Sequence, residues 1–193
     1  MNRDFIRKKI EESLKVKTLL LEDENTFRLI EESALQCCKA LRNDKKIIFA
    51  GNGGSAADAQ HLAGELVNRF GFERPGLSAI AITTDTSVIT SIANDYGFER
   101  LFARQIEAIG KKGDVLLALS TSGNSANIIE GIKEAKKVGI ITIGLTGSSG
   151  GKISQLCDLC LKIPSDDTPR IQEAHILIGH IICSIIENSL YKK

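Results

Sequence analysis

Five short apolar runs, most of them followed by a polar turn and a helical pattern, set the strongest limit on how this chain can fold. The runs span residues 46–50, 79–83, 114–119, 140–145 and 159–163. Between them lie helical patterns at 55–70, at 125–138 and, in a broken stretch, from about 86 to 109. Short apolar strands alternating with helices predict a mostly parallel five-stranded sheet with helices on both faces. Two helical patterns come first. Ile6, Ile10 and Leu14 form one stripe, and Leu29, Ile30, Ala34, Cys37, Cys38 and Leu41 form the other. Residues 1–44 therefore read as a helical pair ahead of the α/β core, free to pack on its own sheet or on a neighbouring subunit. Pro169 opens a last helix, with Thr168 as its N-cap, that runs to about Leu190. No low-complexity linker or charge block divides the chain, so 1–193 reads as one domain, with 45–193 as the α/β core and C-terminal helix. At this length, folding buries roughly 70% of the surface of the unfolded chain, so a core forms without disulfides.

In an open parallel sheet, ligands bind beyond the C-terminal ends of the strands. The chain places Gly51-Asn52-Gly53-Gly54-Ser55 after the first run, Ser120-Thr121-Ser122-Gly123-Asn124-Ser125 after the third, and Thr146-Gly147-Ser148-Ser149-Gly150 after the fourth. The turn at 120–125 suits an anion. A helix N-terminus offers unpaired N–H groups and the positive end of its dipole. Hydroxyl and amide side chains add neutral donors there, with no lysine or arginine. Helix capping would explain one such serine, but not five polar side chains among six residues. A rival reading comes from Gly51-x-Gly53-x-x-Ala56, which fits a dinucleotide fingerprint with Asp85 as its ribose acid. It would leave the second turn without a task.

The three histidines are His61, His175 and His180. His61 and Glu65 are four residues apart on one helix face, a spacing that suits a shared metal ion, an acid and base on one substrate, or a plain surface pair. Gln172 and His180 lie about 12 Å apart along the last helix. Convergence on one ion would need extreme reach or two subunits. Glu173 and His175 read as structural. A net charge of +1 gives no field for nucleic acid. The five cysteines include a lone C-x-x-C at Cys157 and Cys160, too little for a structural zinc site. The N-terminal sequence has no signal-peptide pattern, and no apolar run approaches the ~20 residues of a membrane span. The expectation is a cytoplasmic protein without membrane or nucleic-acid partners.

Taken in order, the motif at 51–55, His61-x-x-x-Glu65, Ala93-Asn94-Asp95, the turn at 120–125, and Arg170-Ile171-Gln172-Glu173-x-His175 with His180 resemble the sugar isomerase (SIS) family over the whole chain. The resemblance implies a flavodoxin-like SIS fold and a homotetramer with sites near subunit interfaces. It implies isomerisation of sedoheptulose 7-phosphate to D-glycero-D-manno-heptose 7-phosphate, for the heptose of bacterial surface polysaccharides. It also implies one zinc per subunit on His61, Glu65, Gln172 and His180. Sugar phosphate would contact Asn52, Gly53, Gly54, Glu65, Asn94, Asp95, Ser120, Thr121, Ser122, Ser125 and Gln172. Glu65 would be the base and His180 the acid. A non-catalytic relative that binds the replication initiator as a tetrameric scaffold is the alternative, and it lacks the counterparts of Glu65 and His180. Some relatives carry an acidic residue directly before the arginine at 170, where this chain has Pro169.

Overall fold

The computed structural model describes residues 3–192. Met1, Asn2 and Lys193, which belong to the expected domain span, lie outside the described residues. Helices α1 (Arg3–Leu21) and α2 (Glu24–Arg42) form the expected leading pair. Then follow β1 (Ile47–Gly51), α3 (Gly54–Val67), β2 (Ala79–Ala81), α4 (Thr86–Tyr96), α5 (Leu101–Ile109), β3 (Val115–Leu119), α6 (Ala126–Val138), β4 (Ile141–Thr146), β5 (Leu159–Lys162) and α7 (Thr168–Tyr191). All four strand pairings are parallel, in the order β2-β1-β3-β4-β5. This is the flavodoxin-like order, and its direction switches between β1 and β3. The break expected between residues 86 and 109 is real: Gly97 and a turn of 3₁₀ helix separate α4 from α5.

Strand residues alternate between two cores. Ile47, Phe49, Val115, Leu117, Leu119, Ile143 and Leu145 face α2, α3 and α7. Ile48, Ala50, Leu116 and Ala118 face α5 and α6 on the other side. Both faces are dry, which is why β1 and β3 read as continuous apolar runs. The α2 stripe is used as expected, with Ile30, Ala34, Cys37 and Cys38 buried. The α1 stripe is not. Only Val16 and Leu20 at its C-terminal end are buried, while Ile6, Ile10 and Leu14 remain 57–58% exposed.

Contrary to the expectation that no apolar run approaches a membrane span, helix α7 is long and apolar enough to cross a membrane by length and composition. In the fold it is a core helix, and Ile171, Ala174, Ile178, Ile182 and Ile186 pack into the first cluster. Its N-cap is Asp167, not Thr168, which forms the first helical residue with Pro169 behind it. The difference is one residue, within the ordinary variation of helix ends.

Two buried polar devices stand in the core, and only the first was not visible in the sequence. Arg74 and Glu187 form an ion pair at 3.1 Å with side chains 1% and 2% exposed. The guanidinium also donates to the carbonyls of Glu65, Leu66, Asn68 and Pro75, capping the last turn of α3. The Glu187 carboxylate accepts the N–H groups of Phe70 and Gly71. Burial alone would raise its pKa, but those N–H bonds and Arg74 outweigh it and hold Glu187 below the usual carboxylate range. The second device is His175, fully buried in α7, where desolvation lowers its pKa to about 4.

Both groups set expectations for stability. Arg74→Met strands a buried carboxylate and opens four carbonyls, so it should cost about 3–5 kcal/mol. Arg28→Met, at the exposed pair with Glu32, should cost less than about 1 kcal/mol. Urea unfolding of the two variants tests this, and equal midpoints would contradict it. His175 binds fewer protons in the folded state, so its contribution is lost as pH falls below about 6.5 toward its folded value of about 4. Stability should drop across that window, and drop less in His175→Gln. Parallel melting-temperature profiles for the two proteins would contradict the assignment.

Candidate active site

Parallel strands deliver their turns to one rim of the sheet. At the end of β1, Gly53 is the N-cap of α3 and has no side chain to occupy the helix's free N–H groups. The Gln172 amide lies over Gly54, and a Cβ there would sit 2.4 Å from Gln172 Nε2, so a side chain at 54 would push that amide aside. At the end of β3, Gly123 turns the chain with φ of 64°, and a Cβ would meet the Gly150 carbonyl oxygen at 2.3 Å. Glycine is thus required on both counts. Ser125 is the N-cap of α6, yet its hydroxyl makes no capping bond. It lies 3.2 Å from the Ser120 hydroxyl instead. The β3 and β4 turns are stitched together by the Gly147 N–H donating to Thr121 and the Ile153 N–H donating to Gly123. A cavity of about 270 Å³ opens beside them, walled by Thr121, Ser122, Gly147 and Asp166. The turn at 120–125 is therefore a braced nest of hydroxyls and N–H groups at a helix start, the form an anion site takes.

A second constellation lies farther along α3. His61 Nε2 is 3.1 Å from Glu65 Oε1 and 2.8 Å from His180 Nε2. The ligand atoms of His61, Glu65 and His180 all lie within 4.8 Å of one another. Among the described residues no other His, Cys, Asp and Glu group converges so closely. Two imidazole nitrogens and a carboxylate oxygen match the donor set of a catalytic zinc site, which takes three protein ligands and leaves a position open. Phe70 packs on the His180 ring with centroids 5.6 Å apart, and Phe70 is itself held by Glu187. The Arg74–Glu187 pair thus fixes both the end of α3 and the wall behind His180.

The structure joins some expected site residues and separates others. Asn52, Gly53, Gly54 and Gln172 gather at the start of α3, and Ser120, Thr121, Ser122 and Ser125 at the start of α6. Gln172 meets the start of α3. It lies over Gly54, seven residues or about 10 Å of helix before His61. Asn94 and Asp95 are exposed at the end of α4, bonded to each other at 2.8 Å. No hydrogen bond joins them to the turns or to the histidines among the described residues. Asp85, the ribose acid of the dinucleotide reading, spends its carboxylate capping α4 through the Val88 N–H. The five cysteines are free thiols, and burial raises the Cys157 thiol to about 12. Sequence reasoning missed Asp58, which shares the face of α3 that carries Gly54, His61 and Glu65. Burial raises its carboxyl above the usual range, partly opposed by His61, and one oxygen is buried without a partner. The spacing 54, 58, 61, 65 was the available signal. A larger cavity of about 550 Å³ between β2, α4 and α5 is lined by Ile80, Asp85, Val88 and Ile92 and includes neither the turns at 51–55 and 120–125 nor His61, Glu65 and His180.

Comparison with known proteins agrees with this geometry. Residues 14–147 match the SIS domain family model. The chain is 54% identical over 189 residues to a phosphoheptose isomerase of Aneurinibacillus thermoaerophilus, covering 98% of this chain and 96% of the relative. It is 57% identical to phosphoheptose isomerase 2 of Campylobacter jejuni, covering 98% and 94%. The structure of a phosphoheptose isomerase from Neisseria gonorrhoeae superposes with a TM-score of 0.90 at 42% identity, covering 96% of this chain and 98% of the other. One from Francisella tularensis gives 0.92 at 38% identity, covering 97% and 100%. The chain belongs to the SIS family and, within it, to the phosphoheptose isomerases.

Proposed function

We propose that this sugar-phosphate isomerase converts sedoheptulose 7-phosphate to D-glycero-D-manno-heptose 7-phosphate, supplying the heptose of a surface polysaccharide, with the whole of 1–193 acting as one SIS domain. The observation that carries the reading is the convergence of His61, Glu65 and His180 in a fold whose rim offers a hydroxyl-lined anion turn. Ser120, Thr121, Ser122 and Ser125 hold the phosphate. Asn52, Gly53, Gly54 and Gln172 hold sugar hydroxyls, and Asn94 and Asp95 complete the substrate contacts.

The reaction moves a proton between C1 and C2 through an enediol. Glu65 takes the carbon-bound proton from C1 and returns it to C2. His180 supplies a proton to the oxygen on C2 and recovers one from the oxygen on C1, a role it fills only while its ring nitrogen is not ligating metal. Glu65 suits both sides of this exchange, because only Oε1 faces His61 and Oε2 accepts no hydrogen bond among the described residues. His61, Glu65, His180 and Gln172 would hold one zinc per subunit, which supplies a Lewis acid for the sugar carbonyl when bound.

Two features support a homotetramer with shared sites. The α1 stripe of Phe5, Ile6, Ile10 and Leu14 is more than half exposed. Burying such side chains is worth roughly 1.5–3 kcal/mol each. Gln172 and His180 are about 12 Å apart along α7, so Gln172 would reach a metal held by another copy. A cytoplasmic location fits the free thiols. The scaffold alternative is opposed by the presence and convergence of Glu65 and His180.

Glu65→Gln should lower kcat by about 10²–10⁴ while leaving mass and melting temperature unchanged. Near-normal turnover of sedoheptulose 7-phosphate in that variant would contradict the assignment. Dialysis against a chelator should abolish turnover, and zinc should restore it; full activity without metal would remove zinc from the account. No turnover of any ketose phosphate by the metal-loaded chain would favour the scaffold.

A further inference from the structure

Asn127 sits in the second position of α6 and is only 3% exposed. Its side chain faces Asn52 at the end of β1, 75 residues away in sequence, and the two amides bond reciprocally. Asn52 Nδ2 donates to Asn127 Oδ1 at 2.9 Å, and Asn127 Nδ2 donates to Asn52 Oδ1 at 2.9 Å. Asn127 Oδ1 also accepts the Ile128 N–H at 2.9 Å.

That third bond gives the pair its direction. A backbone N–H only donates, so the atom facing it must be the amide oxygen. With the Asn127 oxygen fixed there, its nitrogen is fixed too, and Asn52 has one compatible orientation. A flipped Asn52 would set oxygen against oxygen and nitrogen against nitrogen. Each amide has two N–H donors and two acceptor sites. Asn52 therefore keeps one N–H and one lone pair unspent, beside Gly53 and Gly54 on the half-exposed side. The pair also spans the switch between β1 and β3, joining the sugar side of the rim to the helix that starts at the phosphate turn.

We infer that Asn127 is a positioning residue for the isomerisation: it fixes the orientation in which Asn52 presents its free amide edge to the sugar. The inference rests on Asn52 touching substrate, and a double-mutant cycle in kcat/KM separates the two ideas. Asn52→Ala should lower kcat/KM on the order of tenfold or more, the loss of about one hydrogen bond to substrate. Asn127→Ala should do likewise, and the double variant should be no worse than Asn52→Ala. Asn127→Asp serves if Asn127→Ala does not fold. It keeps the acceptor for Ile128, loses the donation to Asn52, and should show the same loss and the same non-additivity. Multiplying losses would overturn the inference, because Asn127 would then act on the fold and not through Asn52. So would an Asn127 variant with normal kcat/KM beside an impaired Asn52→Ala. Normal kcat/KM in Asn52→Ala would overturn the underlying contact instead.

Discussion

Burial of the parallel sheet on both faces is the constraint on which the other features depend. Parallel neighbours cannot be joined by tight hairpins, so helices serve as crossovers and begin where strands end. Helices α3 and α6 therefore present their N-terminal N–H groups at one rim, beside the turns at 51–55 and 120–125. That rim gathers neutral donors without any lysine or arginine in the anion turn. The same geometry sends α3 away from the rim across α7, so in the proposed mechanism one helix carries both a sugar-binding start and a proton-transferring end. Its first turn meets Gln172 and its third and fourth meet His180.

Precision at the far end of α3 comes from charge buried as a pair. Helix C-termini leave carbonyls unsatisfied, and Arg74 gathers those of Glu65, Leu66 and Asn68 while Glu187 neutralises it from α7. Glu65, Phe70 and His180 are thereby referred to one anchored point. At the near end, the Asn52–Asn127 amide pair ties β1 to α6 without charge, beside the proposed phosphate turn.

What the sequence disclosed followed from local signals. The strands were legible because apolar runs at 46–50 and 114–119 are too short for helices and end in glycine or serine. The α4–α5 break was legible from its interrupted periodicity, and the His61–Glu65 pair from spacing alone. The Arg74–Glu187 pair was not, because its partners are 113 residues apart and each alone reads as a surface charge. The α1 stripe illustrates a different limit: periodicity identifies an apolar face but not what covers it. The position of Gln172 over Gly54 depends on how α7 crosses α3, which no local pattern encodes. Asp58 was passed over because one carboxylate on a helix is unremarkable until its burial is known.

The central claim is that a carboxylate and an imidazole on α3 and α7 move a proton between adjacent sugar carbons. Proton NMR of sedoheptulose 7-phosphate with the zinc-loaded protein in D₂O tests it most directly. The aldose heptose 7-phosphate should accumulate with solvent deuterium at C2 in at least part of the product, because the abstracted proton rests on Glu65 before its return. An aldose free of deuterium at every extent of reaction would mean that hydrogen moves without visiting an exchangeable base, and would contradict the account.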